Sequence, residues 1–264
     1  MRIIQLSVGP NSVPLTGYIH DYDEENMLKN IRSGMVICPG GGYEIVSDRE
    51  KDPVALYFFE KGFNTFILDY SINEEAGNLN PLLELSDALV QIRNRAAVFY
   101  VNPAEIAVIG FSAGAHLAAS LSTLYNHLTI QEATKIKNGM NSPDATILCY
   151  PVISMKEYAH KSSKERVTNN NRELIELLSL ENHVNKNTSP TFVWHTQDDK
   201  TVDVQNSMLY VNALVKNQVP CEFHLFTNGE HGLSMCTSNC YKRDDYCGQW
   251  KELSVNWLHR YLSF

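Results

Sequence analysis

The sequence has no dense block of lysine and arginine, no paired C-x-x-C spacing, no G-x-x-x-x-G-K-[ST] loop and no internal repeat. Without a basic block, and with a formal net charge of -8, nucleic acid and anionic membrane surfaces are poor partners. Without paired cysteine spacing, Cys236, Cys240 and Cys247 do not read as a zinc site, although they cluster near His231. No metal and no cofactor is therefore expected, and the three thiols are read as free or as a loop disulfide. The missing lysine-tipped loop removes a phosphate-binding reading of Gly40-Gly41-Gly42. The opening run Met1 to Val8 alternates like a strand and lacks the apolar core of a signal peptide, so a cytoplasmic location with reduced cysteines is the expectation. One stretch, Ile106 to Gln131, carries no formal charge. Its glycines, serines and His116 mark it as a buried strand, turn and helix rather than a membrane span.

What is present is ordinary globular composition: 264 residues, 44% hydrophobic and 20% charged. That length suits one large α/β domain over residues 1–264, and nothing in the composition opposes a homo-oligomer. Strand-like runs fall at Leu15 to Ile19, Met35 to Cys38, Phe63 to Tyr70, Ile106 to Ile109, Ala145 to Tyr150, Thr191 to His195 and Cys221 to Phe226. Between them, Leu85, Ala88, Leu89, Ile92 and Ala96 repeat at helical spacing, a helix that Asn102-Pro103 is expected to stop. Val204, Met208, Val211 and Val215 mark another, with Asp203 as its N-cap, and Trp250, Leu253, Trp257, Leu258 and Tyr261 a last one. Alternation of this kind predicts a mostly parallel central sheet with helices on both faces. Residues 156–190, after the sixth strand, are rich in Asn, Lys, Glu and Ser. They are too short to bury a core of their own and read as a small insertion, either a partial lid or a solvated loop with a helix.

Chemistry concentrates at Gly110-Phe111-Ser112-Ala113-Gly114, a G-x-S-x-G run between an apolar strand and a helix-forming stretch. A sharp strand-to-helix turn pushes the serine hydroxyl out of the sheet, and glycines flank it because side chains there would strike the neighbouring elements. Such a serine needs a base, an acid to orient that base, and donors for a developing oxyanion. His231, between glycines in Asn228-Gly229-Glu230-His231-Gly232, is the best base among the nine histidines. His195 and His116 read as structural. Two carboxylates, Asp198 and Asp199, follow the strand ending at His195. Asp199 is favoured because it opens a D-x-x-V run, leaving Asp198 to brace the turn or lie in solvent. The glycine run 40–42 and the amide of Ala113 are the oxyanion candidates.

At these residues the chain resembles the α/β-hydrolase superfamily, and more narrowly its acetylesterase and acetyl-xylan-esterase-like, feruloyl-esterase-like branch. The matching runs are Cys38 to Tyr43, Ser47 to Glu50 with Pro53-Val54-Ala55, Leu68 to Tyr70, Gly110 to Leu117, Tyr150 to Ser154, Trp194 to Asp199, and Glu222 to Leu233. Related lipases place a histidine before the three glycines, where this chain has Pro39. The resemblance implies Ser112 as nucleophile, Asp199 as acid and His231 as base, with Gly41, Gly42 and Ala113 as oxyanion donors. It implies hydrolysis of short-chain esters, the small-molecule substrate being an acetylated sugar. A prolyl-oligopeptidase-like serine peptidase and a non-catalytic binding protein on the same fold are the rival readings.

Overall fold

The computed structural model describes residues 1–22, 25, 30–136 and 138–264. The strands are β1 (Arg2–Val8), β2 (Val13–Ile19), β3 (Arg32–Cys38), β4 (Asn64–Leu68), β5 (Val101–Phe111), β6 (Ala145–Cys149), β7 (Thr191–Thr196) and β8 (Cys221–Phe226). The helices are α1 (Asp52–Glu60), α2 (Asn80–Asn94), α3 (Ala96–Phe99), α4 (Ala113–Leu124), α5 (Leu128–Thr134), α6 (Lys161–Thr168), α7 (Arg172–Leu177), α8 (Gln205–Lys216) and α9 (Trp250–Leu258). Among the described residues eight strands form one sheet in the order β1-β2-β4-β3-β5-β6-β7-β8. The β1–β2 and β2–β4 pairs are antiparallel and the remainder parallel. This is the doubly covered, mostly parallel sheet expected from the alternating pattern.

Successive side chains of a strand point to opposite faces, and the core divides accordingly. Val36, Val108, Leu148 and Val193 face one cluster with α2, α4 and α8. Met35, Ile37, Ala107, Ile109, Ile147, Phe192 and Trp194 face the other, with Val54, Ala55 and Phe58 of α1 and Trp250 and Trp257 of α9. Both faces of the central strands are buried, which is why those strands read as unbroken apolar runs. Among the described residues no helix is long and apolar enough to cross a membrane. The uncharged stretch resolves into the end of β5, a turn, α4 and the start of α5.

Several sequence expectations need correction. Strand β5 begins at Val101, so Asn102 and Pro103 lie inside it, and α2 ends earlier, at Asn94. Ala96 belongs to the separate turn α3. Helix α1 follows Ser47 to Glu50 and carries no strong periodicity signal, because Val54 to Phe59 is apolar throughout although only Val54, Ala55 and Phe58 are buried. Helix α8 buries a different face from the one expected. Ser207, Tyr210 and Leu214 point inward, whereas Met208 is 37% and Val215 63% exposed. Asn206 decides the rotation, because its buried Oδ1 accepts from the backbone amides of Ile153 and Ser154 at 2.9 and 3.0 Å. Asp203 caps this helix as expected: its carboxylate accepts from the Gln205 amide at 2.9 Å, while Val204, the residue just before α8, already has helical backbone angles.

Helix α4 is buried along its whole length and packs beneath the turn from β3. Gly114 lies against the Cys38 and Pro39 carbonyl oxygens, and Gly110 against the backbone of Gly114. Gly114→Ala is expected to cost ~1–3 kcal/mol or more by overpacking, read as a lower urea midpoint at unchanged slope. One turn on, His116 joins three parts of the fold. Its Nε2–H donates to the Leu178 carbonyl at 3.0 Å, and its Nδ1 accepts from the Tyr43 hydroxyl at 2.9 Å. Burial pushes the imidazole down to about 4. A histidine with a lowered folded value contributes stability that is fully present above the unfolded value of ~6.5 and is lost as pH falls towards the folded value. The unfolding free energy of the wild type, relative to His116→Asn, should therefore fall by roughly 3 kcal/mol between those two values.

Candidate active site

Ser112 sits between the end of β5 and the start of α4 with φ 52° and ψ -115°, a conformation that costs a non-glycine residue about 1–3 kcal/mol. The surroundings hold it there. Its amide donates to the Cys149 carbonyl at 2.9 Å, and its carbonyl accepts from Ala115, His116 and Val152. The hydroxyl is thereby set at the carboxyl ends of the parallel strands, where open α/β sheets place their ligand sites.

Three side chains from distant segments meet at this point. Ser112 Oγ lies 2.8 Å from His231 Nε2, and His231 Nδ1 lies 2.6 Å from Asp199 Oδ2. A carboxylate only accepts, so Nδ1 carries the proton and Nε2 is left to accept from the serine hydroxyl. The Asp199 side chain is wholly buried and that of His231 is 14% exposed, open to the cleft. The second Asp199 oxygen accepts from the amides of Thr201 and Val202 at 2.8 and 3.0 Å. Val202 itself is buried, which anchors the D-x-x-V turn. Asp198 turns the other way and accepts from the Gly229 amide at 2.8 Å, bracing the loop that carries His231.

His195, read from the sequence as a strand-end residue, is a further partner. Its Nε2–H reaches Asp199 Oδ2 at 3.2 Å and the Val202 carbonyl at 3.1 Å, while Nδ1 accepts from the Ser207 hydroxyl at 2.8 Å. The signal was present as a histidine four residues before the acid, but competition for the role of base obscured it. Burial disfavours the charged form of Asp199. Hydrogen bonds from His195 and His231, the attraction of the His231 ring when it is protonated, and the Val202 amide outweigh it and hold the carboxyl well below the usual range.

The glycine turn after β3 faces the serine. Gly41 and Gly42 have φ 128° and 66°, and a side chain on Gly41 would strike the Ile45 carbonyl. Among the described residues no group accepts from the amides of Gly41, Gly42 or Ala113. Ala113 opens α4, where the helix dipole adds positive potential. A cleft of about 390 Å³ lies over these groups, walled by Ser47, Arg49, Glu50, Thr201 and Gly232 and, from the insertion, His160 and Ser162. The Arg166–Glu44 ion pair, at 3.0 Å, ties the insertion to the glycine turn. All six cysteines are free, so the loop-disulfide alternative falls. Cys236 and Cys247 are buried, the latter with its thiol on the Asn228 carbonyl of the His231 loop, and Cys221 is only partly buried. Among the described residues no three His, Cys, Asp or Glu side chains are arranged to hold a metal ion.

The BD-FAE family model matches residues 25–214 of the chain. The chain belongs to the BD-FAE family. This BD-FAE member is 31% identical over 232 residues to endo-1,4-beta-xylanase B of Butyrivibrio fibrisolvens, covering 86% of the chain and 35% of that protein. It is 29% identical over 213 residues to the acetylxylan esterase of Xylanibacter ruminicola, covering 77% and 41%. The chain thus spans well under half the length of these two curated relatives. Among solved structures it is similar to the acetyl ester-xyloside bifunctional hydrolase of Caldicellulosiruptor lactoaceticus, with TM-score 0.81, 34% identity, and 95% and 89% of the two chains covered. The α/β-hydrolase fold follows from the sheet order and this likeness together.

A carboxyl held low in the folded state contributes stability present above the unfolded value of ~3.9 and lost as pH falls below it. The unfolding free energy of wild type minus that of Asp199→Asn should therefore shrink on acidification from about pH 5 to about pH 2, measured by urea titration at each pH.

Proposed function

We propose that the protein is a serine hydrolase of short-chain carboxylic esters, acting on acetyl groups carried by sugars, with Ser112, His231 and Asp199 as its catalytic residues. The single observation that carries this reading is the unbroken hydrogen-bond line from the Ser112 hydroxyl through His231 to the buried Asp199, ending opposite a turn of uncommitted amides.

The chemistry follows from those atoms. Ser112 Oγ attacks the ester carbonyl as its proton passes to His231 Nε2. The imidazolium so formed keeps Nδ1–H on Asp199, whose negative charge stabilises it without accepting the proton. Negative charge on the former carbonyl oxygen is met by the amides of Gly41, Gly42 and Ala113, already oriented before reaction. His231 then returns the proton to the departing sugar oxygen. Water, activated by the same imidazole, cleaves the acetyl-serine and releases acetate.

The acetyl-sugar assignment draws on the named activities of the acetylxylan esterase of Xylanibacter ruminicola and the acetyl ester-xyloside hydrolase of Caldicellulosiruptor lactoaceticus. Polar groups of Ser47, His160, Ser162 and Thr201 around the cleft suit a hydroxyl-rich leaving group. On this reading residues 156–190 form part of the cleft wall within one catalytic domain.

Ser112→Ala should lower kcat on p-nitrophenyl acetate by ~10⁴-fold or more while leaving the unfolding midpoint near wild type. Wild type should release acetate from acetylated xylo-oligosaccharides and spare proline-containing peptide amides. Turnover retained by the alanine variant, or no fluorophosphonate adduct at Ser112, would overturn the assignment.

A further inference from the structure

Glu50 lies at the floor of the cleft and has no part in the proton transfers above. It ends the short turn Asp48–Glu50 that precedes α1 and is only 2% exposed. Its Oε2 accepts from the Gly40 amide at 2.7 Å and its Oε1 from the Tyr150 hydroxyl at 2.7 Å. The same Tyr150 oxygen accepts from the Ser234 amide at 2.9 Å, and the Tyr150 ring stands edge-on to His231 with centroids 5.0 Å apart. The Ser234 hydroxyl closes the circuit on the Arg49 carbonyl at 2.6 Å, next to Glu50 in the chain.

We propose that Glu50 is a positioning residue that sets the oxyanion turn and the His231 loop in one register against Ser112. This rests on the ester-hydrolase reading and assigns a role to a group that reading leaves idle. Gly40 is the contact through which the turn is placed, because a Cβ there would lie 2.8 Å from the Phe111 carbonyl and 3.2 Å from Ser112 Cβ. One residue further on are the amides that meet the oxyanion. On the other side, Tyr150 passes the constraint to Ser234, three residues after the base.

The chemistry of the junction calls for a carboxylate. Both groups facing Glu50 are donors, and Tyr150 already uses its oxygen to accept from Ser234. A carboxylate satisfies both with no proton of its own. A glutamine of the same shape would turn an NH₂ against one of them and leave a buried donor unpaired. Burial pushes the Glu50 carboxyl up, and the Tyr150 and Gly40 bonds, with the Arg49 charge, offset only part of that rise.

The test is turnover of p-nitrophenyl acetate per active site, with sites counted by complete fluorophosphonate labelling, for wild type, Glu50→Gln, Tyr150→Phe and the double variant. Counting sites removes any loss due to misfolded protein. Wild type that does not label would remove the ester-hydrolase reading itself, a result distinct from those that follow. Misplacing an oxyanion donor costs about 10²–10³-fold in kcat. Glu50→Gln should accordingly lower kcat per site by ~10²-fold, with KM within about threefold of wild type. Tyr150→Phe should lower kcat per site by roughly tenfold, and the double variant should be little worse than Glu50→Gln alone, because both act through one circuit. A Glu50→Gln enzyme that melts earlier but turns over within about threefold of wild type per site would overturn the proposal. So would fully additive losses in the double variant. If Glu50→Gln yields no folded protein, Tyr150→Phe carries the test, and kcat within about threefold of wild type overturns it.

Discussion

The buried carboxylate of Asp199 is the interaction on which the rest of the site depends. Its two oxygens accept four hydrogen bonds, from Thr201, Val202, His195 and His231. An unpaired carboxylate at this depth would be driven to its neutral form. Four donors of which two are imidazoles keep it charged, and the charge fixes which His231 nitrogen bears the proton. The tautomer leaves Nε2 open to accept from the Ser112 hydroxyl at 2.8 Å, so the partner that hydroxyl meets is decided on the far side of the imidazole from it.

The second constraint is steric. The strained backbone at Ser112 persists because neighbouring carbonyls and amides over-determine it, and because the close packing of Gly110 and Gly114 leaves the strand and helix no other separation. Strain, glycine packing and the uncommitted amides of the turn after β3 are parts of one arrangement: the backbone is brought near the reacting position so that no side chain has to be. For the proposed ester hydrolysis, electrostatic stabilisation prepared in this way would need little reorganisation during reaction.

Much of this was legible in the chain itself, for physical reasons. Buried parallel strands show as short apolar runs, the antiparallel edge strands β1 and β2 as alternation, and a strand-to-helix turn around serine has few alternatives, so the strands and the neighbourhood of Ser112 were readable. The D-x-x-V turn distinguished Asp199 from Asp198 because Val202 must be buried to anchor it. What escaped were features set by tertiary partners. Helix α8 turns Asn206, Ser207, Tyr210 and Leu214 inward although the stripe of Val204, Met208, Val211 and Val215 is more apolar, and Asn206 bonding to Ile153 and Ser154 fixes that choice. His195 and Glu50 escaped for a related reason, since their meaning lies in residues 4 to 184 positions away to which no periodicity points.

The bonds that complete the site join residues far apart in the chain: Ser112 to His231 across 119 positions, Glu50 to Tyr150 across 100, and Arg49 to Ser234 across 185. Each closes a long loop whose entropy must be spent before the contact returns anything. High contact order slows folding, and parallel pairing is among its slowest forms. Completion of the site is therefore a property of the whole fold rather than of any one segment. Without the segment that carries His231 the Ser112 hydroxyl has no imidazole beside it, and without β6 the Ser112 amide loses the Cys149 carbonyl that holds its strained backbone.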